Sequence, residues 1–165
     1  MLLAEIVLPT RRATIQLAQR LEPWLQPGDL LLLAGELGTG KTFFVRALAR
    51  ALGVPSNVRV TSPSFALVHE YPARIPLVHA DLYRLRSIDE VRTLGLRELR
   101  EHALVVVEWG EPYAEPLGGA ALHLELALQA SPAATGRRAW LRSSWPAEDG
   151  RLSRIAAVFG LRRGP

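Results

Sequence analysis

Two runs of this chain are apolar at every position: Leu30-Leu31-Leu32-Leu33-Ala34 and Ala103-Leu104-Val105-Val106-Val107. Strands buried on both faces read this way, and such strands belong at the parallel centre of a sheet. Leu77-Val78-His79-Ala80 is a shorter apolar strand that ends at Asp81, and Ile6-Val7-Leu8 predicts a short first strand. Residues 65–71 read as a strand, preceded by the polar, proline-pinned stretch Thr61-Ser62-Pro63-Ser64. The period then changes. Leu122, Leu124, Leu126 and Leu128 alternate with Ala121, His123, Glu125 and Ala127, which predicts an antiparallel strand with one exposed face. A hairpin turn over 131–136 leads to a partner strand over 138–143.

The helical pattern fills the intervals. Thr10 is placed to cap a helix whose apolar face is Thr14, Leu17, Ala18 and Leu21, and Pro23 ends it. Pro27-Gly28-Asp29 is a turn signal. Residues 43–52 carry Phe44, Val45, Leu48 and Leu52 on one side, and Gly53 and Pro55 stop that helix. Ser87-Ile88-Asp89-Glu90 has the form of a capping box. It opens a helix through Ile88, Val91 and Leu94, which is interrupted at Gly95 and resumes through Leu99. Pro112, Pro116 and Gly118-Gly119 make a loop. A last helix is predicted over 146–159, before the terminal Arg162-Arg163-Gly164-Pro165.

Between the first apolar strand and the second helix stands Gly35-Glu36-Leu37-Gly38-Thr39-Gly40-Lys41-Thr42. Strand, glycine loop and helix in this order fit the phosphate-binding loop G-x-x-x-x-G-K-[ST]. Backbone N–H groups of such a loop cradle phosphate oxygens, and the helix N-terminus adds partial positive charge. Gly35, Gly38 and Gly40 permit the backbone angles; Lys41 reaches the terminal phosphates; the Thr42 hydroxyl is suited to magnesium. The fold class that follows is α/β: a P-loop NTPase-like three-layer sandwich with a mixed sheet, parallel at its centre and antiparallel in its C-terminal strands. One domain spans 1–165, with no internal repeat or linker.

Composition sharpens one point. Of 20 basic residues, 19 are arginine, and the single lysine is Lys41. A planar guanidinium does not replace a compact ammonium inside a tight phosphate nest. The absence of cysteine excludes disulfide and thiol chemistry and is compatible with a reducing cytoplasm, where we expect this protein. The N-terminal stretch has no basic leader and is broken by Glu5, and no apolar run is long enough to span a bilayer. The net charge of +4 permits contact with nucleic acid. We read Arg137, Arg138, Arg142, Arg151, Arg154, Arg162 and Arg163 as a solvated, arginine-biased surface, so that any contact with tRNA is weak or indirect.

A phosphate loop needs an acid near its metal, and in open α/β sheets such groups lie beyond the carboxyl ends of strands. Asp81 and Glu108 both qualify. Either could bind magnesium, hold one of its waters or orient an attacking water. Glu108 follows the more deeply apolar strand and is preferred for the metal. The stretch from Thr61 to Phe65 is either a switch that orders around a terminal phosphate or a plain proline turn. His69, His79, His102 and His123 lack metal-ligand spacing and are read as structural.

These pieces together resemble the TsaE (YjeE) family of bacterial P-loop ATPases, which support threonylcarbamoyladenosine formation on tRNA. The resemblance covers roughly residues 5–145 and is carried by Gly35 to Thr42, Thr61-Ser62-Pro63-Ser64-Phe65, His79-Ala80-Asp81-Leu82-Tyr83-Arg84-Leu85 and Glu108-Trp109. It implies ATP and Mg2+ as ligands, with Lys41, Leu37, Thr39 and the loop amides on the phosphates and Thr42 and Glu108 at the metal. It also implies that Asp81 acts near the γ-phosphate, that Thr14 and Trp109 lie near the nucleotide, and that the partners are the proteins TsaD and TsaB. Ser64 stands where threonine is common, Gly110 where proline is common and Glu36 where aspartate is usual. Ser64 keeps the hydroxyl, whereas Gly110 is expected to loosen the loop after Trp109. Two other classes remain open: a small-molecule or nucleoside kinase, with Arg84 and Arg86 as lid arginines, and a nucleotide-dependent binding module without useful hydrolysis.

Overall fold

The structure is a computed structural model and describes residues 1–129 and 136–160. Seven strands form one sheet: β1 (Leu2–Leu8), β2 (Leu30–Ala34), β3 (Val68–Tyr71), β4 (Leu77–Asp81), β5 (Leu104–Glu108), β6 (Leu122–Leu128) and β7 (Arg137–Ser143). Their order is β1-β7-β6-β2-β5-β4-β3. The all-apolar β2 lies in the middle, parallel to β5 on one side and to β6 on the other, and β4 runs parallel to β5. The remaining pairings, β3 with β4, β6 with β7 and β1 with β7, are antiparallel.

The α-helices are α1 (Arg11–Leu21), α2 (Lys41–Ala51), α3 (Ile88–Thr93), α4 (Leu96–Leu99) and α5 (Arg151–Val158). Alternation along the strands sends Leu31, Leu33, Leu77, Leu104 and Val106 into one core with α1, α2 and α5. Leu30, Leu32, Val78, Ala80, Val105 and Val107 enter a second core with α3 and α4. Two cores on opposite faces of one sheet make the expected three layers.

Local chemistry explains the helix ends. Thr10 caps α1 by accepting from Ala13 N–H at 3.2 Å, and Thr14, Leu17, Ala18 and Leu21 form its buried face. Ser87 and Glu90 make the reciprocal bonds of a capping box on α3. Gly95, at φ 66°, separates α3 from α4. In that left-handed conformation a side chain would be strained, so the break falls where the glycine is.

Four expectations need correction. The first strand begins at Leu2 rather than Ile6, because antiparallel pairing with β7 runs from Leu2 to Leu8, with one irregularity between Leu2 and Ala4. The strand expected over 65–71 begins only at Val68; Leu67 at φ 65° and a bond from its N–H to Pro63 O turn the preceding residues. β6 alternates as predicted, yet it is antiparallel only toward β7 and parallel toward β2. The last helix is α5 alone, Arg151–Val158, shorter than 146–159. The turn expected over 131–136 and the terminal Arg162-Arg163-Gly164-Pro165 lie outside the described residues, apart from Gly136.

Phe44 is fully buried one turn from the glycine loop. Phe44→Ala should cost about 3–5 kcal/mol through lost burial and a residual cavity. Chemical denaturation with an unchanged m-value is the measurement, and a loss below about 1 kcal/mol would show that α2 is held by other contacts.

Candidate functional site

The carboxyl ends of β2, β4 and β5 deliver three groups to one place. β2 ends in the glycine loop, β4 in Asp81 and β5 in Glu108. Asp81 and Glu108 are directly paired in the β4–β5 register and so share a face of the sheet. That face is the one against which α2 packs, and α2 opens with Lys41 and Thr42. A cleft of about 480 Å³ lies between these elements. Leu37, Gly38, Gly40, Lys41, Thr42, Asp81, Glu108 and Trp109 are on its wall, with Ser62, Ser64, Tyr83 and Arg84 around them.

Lys41 is only 5% exposed. Its ammonium donates to Gly35 O at 2.7 Å and to Glu36 O at 2.8 Å, and sits 4.2 Å from the centre of the Trp109 ring. Burial lowers the Lys41 pKa from its ordinary value, and the charges of Glu108 and Asp81 pull it back. The Thr42 hydroxyl donates to Glu108 Oε1 at 2.7 Å. Asp81 is fixed on both oxygens: Ser62 Oγ donates to Oδ2 at 2.7 Å and Tyr83 N–H to Oδ1 at 3.0 Å. Ser62 and Ser64 hydroxyls are 2.9 Å apart. The polar stretch after α2 is thereby tied to the acid at the end of β4.

Gly35 and Gly38 are required for different reasons. Gly35 sits at φ 126°, and a Cβ there would lie 2.1 Å from Leu126 O and 2.9 Å from Thr39 Oγ1. Thr39 in turn donates from Oγ1 to Glu36 O at 2.9 Å. Gly38, at φ 80°, has nothing within 4 Å, so only its conformation requires glycine. Trp109 also holds a positive φ of 61°, with its N–H bonded to Leu33 O at 3.1 Å and its ring 5.0 Å from that of Tyr83. Strain at a non-glycine residue persists where surrounding contacts enforce it. Gly110 does not loosen this loop. It is buried, and a Cβ would meet Val107 Cγ1 at 2.7 Å and Leu32 Cδ2 at 2.9 Å.

Thr14 stands apart from the cleft wall. It is buried on the inner face of α1. Gly35 and Thr39 are likewise not among the residues on the wall; they shape the loop. Two residues were missed. His79, read as structural, places Nε2 at 2.9 Å from Glu108 Oε1. Its spacing of two from Asp81 on one strand was the available signal, because i and i+2 share a face. Arg137, read as solvated, donates from Nε to Thr39 O at 2.6 Å. Nothing local in the sequence brings the start of β7 to the glycine loop. Of the other surface arginines, Arg138 pairs with Glu5, Arg142 with Glu125, and Arg151 with Asp29 and Asp149.

Fold and loop together define a P-loop NTPase-like α/β domain, the class to which nucleotide-binding proteins with this strand–loop–helix unit belong. The family model for "Threonylcarbamoyl adenosine biosynthesis protein TsaE" matches residues 8–139, and the chain belongs to this TsaE family of tRNA threonylcarbamoyladenosine biosynthesis proteins. The Streptomyces coelicolor TsaE protein is 42% identical over 115 residues, which cover 67% of this chain and 76% of that one. The Aquifex aeolicus TsaE protein is 39% identical, with 67% and 79% covered, and the Mycobacterium bovis protein 38%, with 74% and 76%. The crystal structure of Bacillus subtilis YdiB superposes with a TM-score of 0.72 at 24% identity over 93% of each chain, a likeness of fold.

Two alanine substitutions separate space from conformation in the loop. Gly38→Ala should cost about 1–2 kcal/mol, the penalty of a left-handed residue. Gly35→Ala adds a collision with backbone and should lower the thermal midpoint much further or prevent folding. Equal midpoints for the two variants would contradict the packing described for Gly35.

Proposed function

We propose that this chain is a cytoplasmic, magnesium-dependent ATPase that acts as an accessory factor in threonylcarbamoyladenosine modification of tRNA, together with TsaD and TsaB. The observation that carries the reading is the convergence of the lone lysine, Thr42, Asp81 and Glu108 on one cleft at the mouth of a glycine loop. The donor set also fits the metal. Thr42 offers a hydroxyl and Glu108 and Asp81 offer carboxylates, all hard oxygen donors of the kind magnesium takes. Among the described residues no group of three or more His, Cys, Asp or Glu side chains is arranged to hold a metal ion.

In this reading Thr42 and Glu108 hold the magnesium, which when bound neutralises charge building on the phosphates. The chain's own groups do the rest. Loop N–H groups and the start of α2 cradle the phosphates. Lys41 exchanges its carbonyl partners for phosphate oxygens, a charge-assisted bond in a water-poor site. Asp81, held by Ser62 and Tyr83 N–H, orients the attacking water. The Ser62–Asp81 bond gives the 61–65 stretch a direct route to sense the terminal phosphate. Trp109 and Tyr83 close one side of the cleft with aromatic surface.

Lys41→Ala should weaken ATP binding by more than about thirtyfold, the equivalent of about 2 kcal/mol of charge-assisted hydrogen bonding, and abolish tRNA modification in a reconstituted assay. Unchanged modification would refute the proposal. Asp81→Ala and Glu108→Ala should lower turnover about a hundredfold or more while changing ATP affinity far less. Turnover is measured with and without the TsaD–TsaB pair, and parallel losses of binding and turnover would reassign both acids.

A further inference from the structure

His79 lies wholly inside the protein, with 0% exposure, on the strand that ends at Asp81. In the β4–β5 register it faces Val106, one pleat deeper than the Asp81–Glu108 pair and on the same face. Its Nε2 lies 2.9 Å from Glu108 Oε1, the oxygen that also accepts from Thr42 at 2.7 Å. Among the described residues, His79 Nδ1 is the buried side-chain nitrogen or oxygen that has no hydrogen-bond partner. A hydrogen on Nδ1 would be a buried donor with nothing to receive it, and a bare Nε2 would set its lone pair against a carboxylate. Both costs select the tautomer with hydrogen on Nε2, donating to Glu108.

Oε1 of Glu108 therefore carries two donors, one from the phosphate helix and one from β4. Oε2 is the oxygen with capacity left. We propose that His79 is a positioning residue: it locks the Glu108 carboxylate with Oε1 committed to the protein, so that Oε2 is the oxygen presented to the magnesium ion or its water. A donor behind a metal-binding carboxylate fixes both its orientation and its charge distribution. A purely space-filling role would need the volume of the imidazole and not the Nε2–H. The inference rests on the magnesium–nucleotide reading of the cleft.

The test uses the full chain and Mg2+ and ATP as probes. ATP affinity is measured by calorimetry in EDTA and across a Mg2+ titration, for wild type, His79→Leu and His79→Gln. Glutamine places an amide N–H where Nε2–H was; leucine keeps the bulk and removes the donor. In EDTA the three proteins should bind ATP alike. The Mg2+ concentration at half-effect should rise about 10–100-fold in His79→Leu and return toward wild type in His79→Gln. Equal Mg2+ midpoints for wild type and His79→Leu would overturn the role of His79 while leaving the site reading intact. A wild type whose ATP binding ignores Mg2+ would overturn both. Should circular dichroism show His79→Leu unfolded, His79→Asn takes its place against His79→Gln, because its shorter amide reaches only the Nδ1 position.

Discussion

An ammonium and two carboxylates are kept at the nearly dry edge of an apolar sheet, and the arrangement of the site answers that one electrostatic demand. Lys41, Asp81 and Glu108 are 5%, 8% and 3% exposed. Burying such charges is costly unless each finds partners. Each does: loop carbonyls for Lys41, Ser62 and a backbone N–H for Asp81, Thr42 and His79 for Glu108. The mutual attraction of opposite charges adds to these bonds, and the groups are placed before any ligand needs them. Preorganisation of this kind is what the proposed phosphate site would require, since its work would be orientation and charge stabilisation.

The sheet supplies that placement through its parallel centre. Parallel strands end on the same side, so β2, β4 and β5 release the loop and both acids together. β6 makes the transition. It is parallel to β2 and antiparallel to β7, and from there the sheet continues antiparallel to β1, with exposed ion pairs on its outer face, Glu5 with Arg138 and Glu125 with Arg142. Arg137 then returns from that outer region to Thr39 O, so the loop is braced from the far half of the sheet as well as from its own strand and helix.

Much of this was legible in the residues because it is local. Unbroken apolar runs located β2 and β5; the three–four spacing in α1, the capping box at Ser87 and the break at Gly95 located helices and their limits. The glycine loop and the two strand-end acids were legible for the same reason: each is a short segment with its own chemistry. What the sequence concealed depends on pairing between distant segments. The parallel partnership of β6 cannot be read from its alternation, since period two describes its faces and not its neighbours. The tightness at Gly110 comes from Val107 and Leu32 side chains, one of them on another strand. His79 has no motif of its own; its meaning arises only once β4 lies beside β5.

The near absence of lysine has a consequence beyond the cleft. A surface made basic by arginine alone offers no side-chain amine to acylating enzymes or to amine-directed crosslinkers, since the single one sits behind the Trp109 ring and against loop carbonyls. Any acetylation of a side-chain amine in this protein would have to fall on Lys41, the residue proposed to hold phosphate, so under that proposal a covalent mark of that type would act at the cleft and not as a surface label.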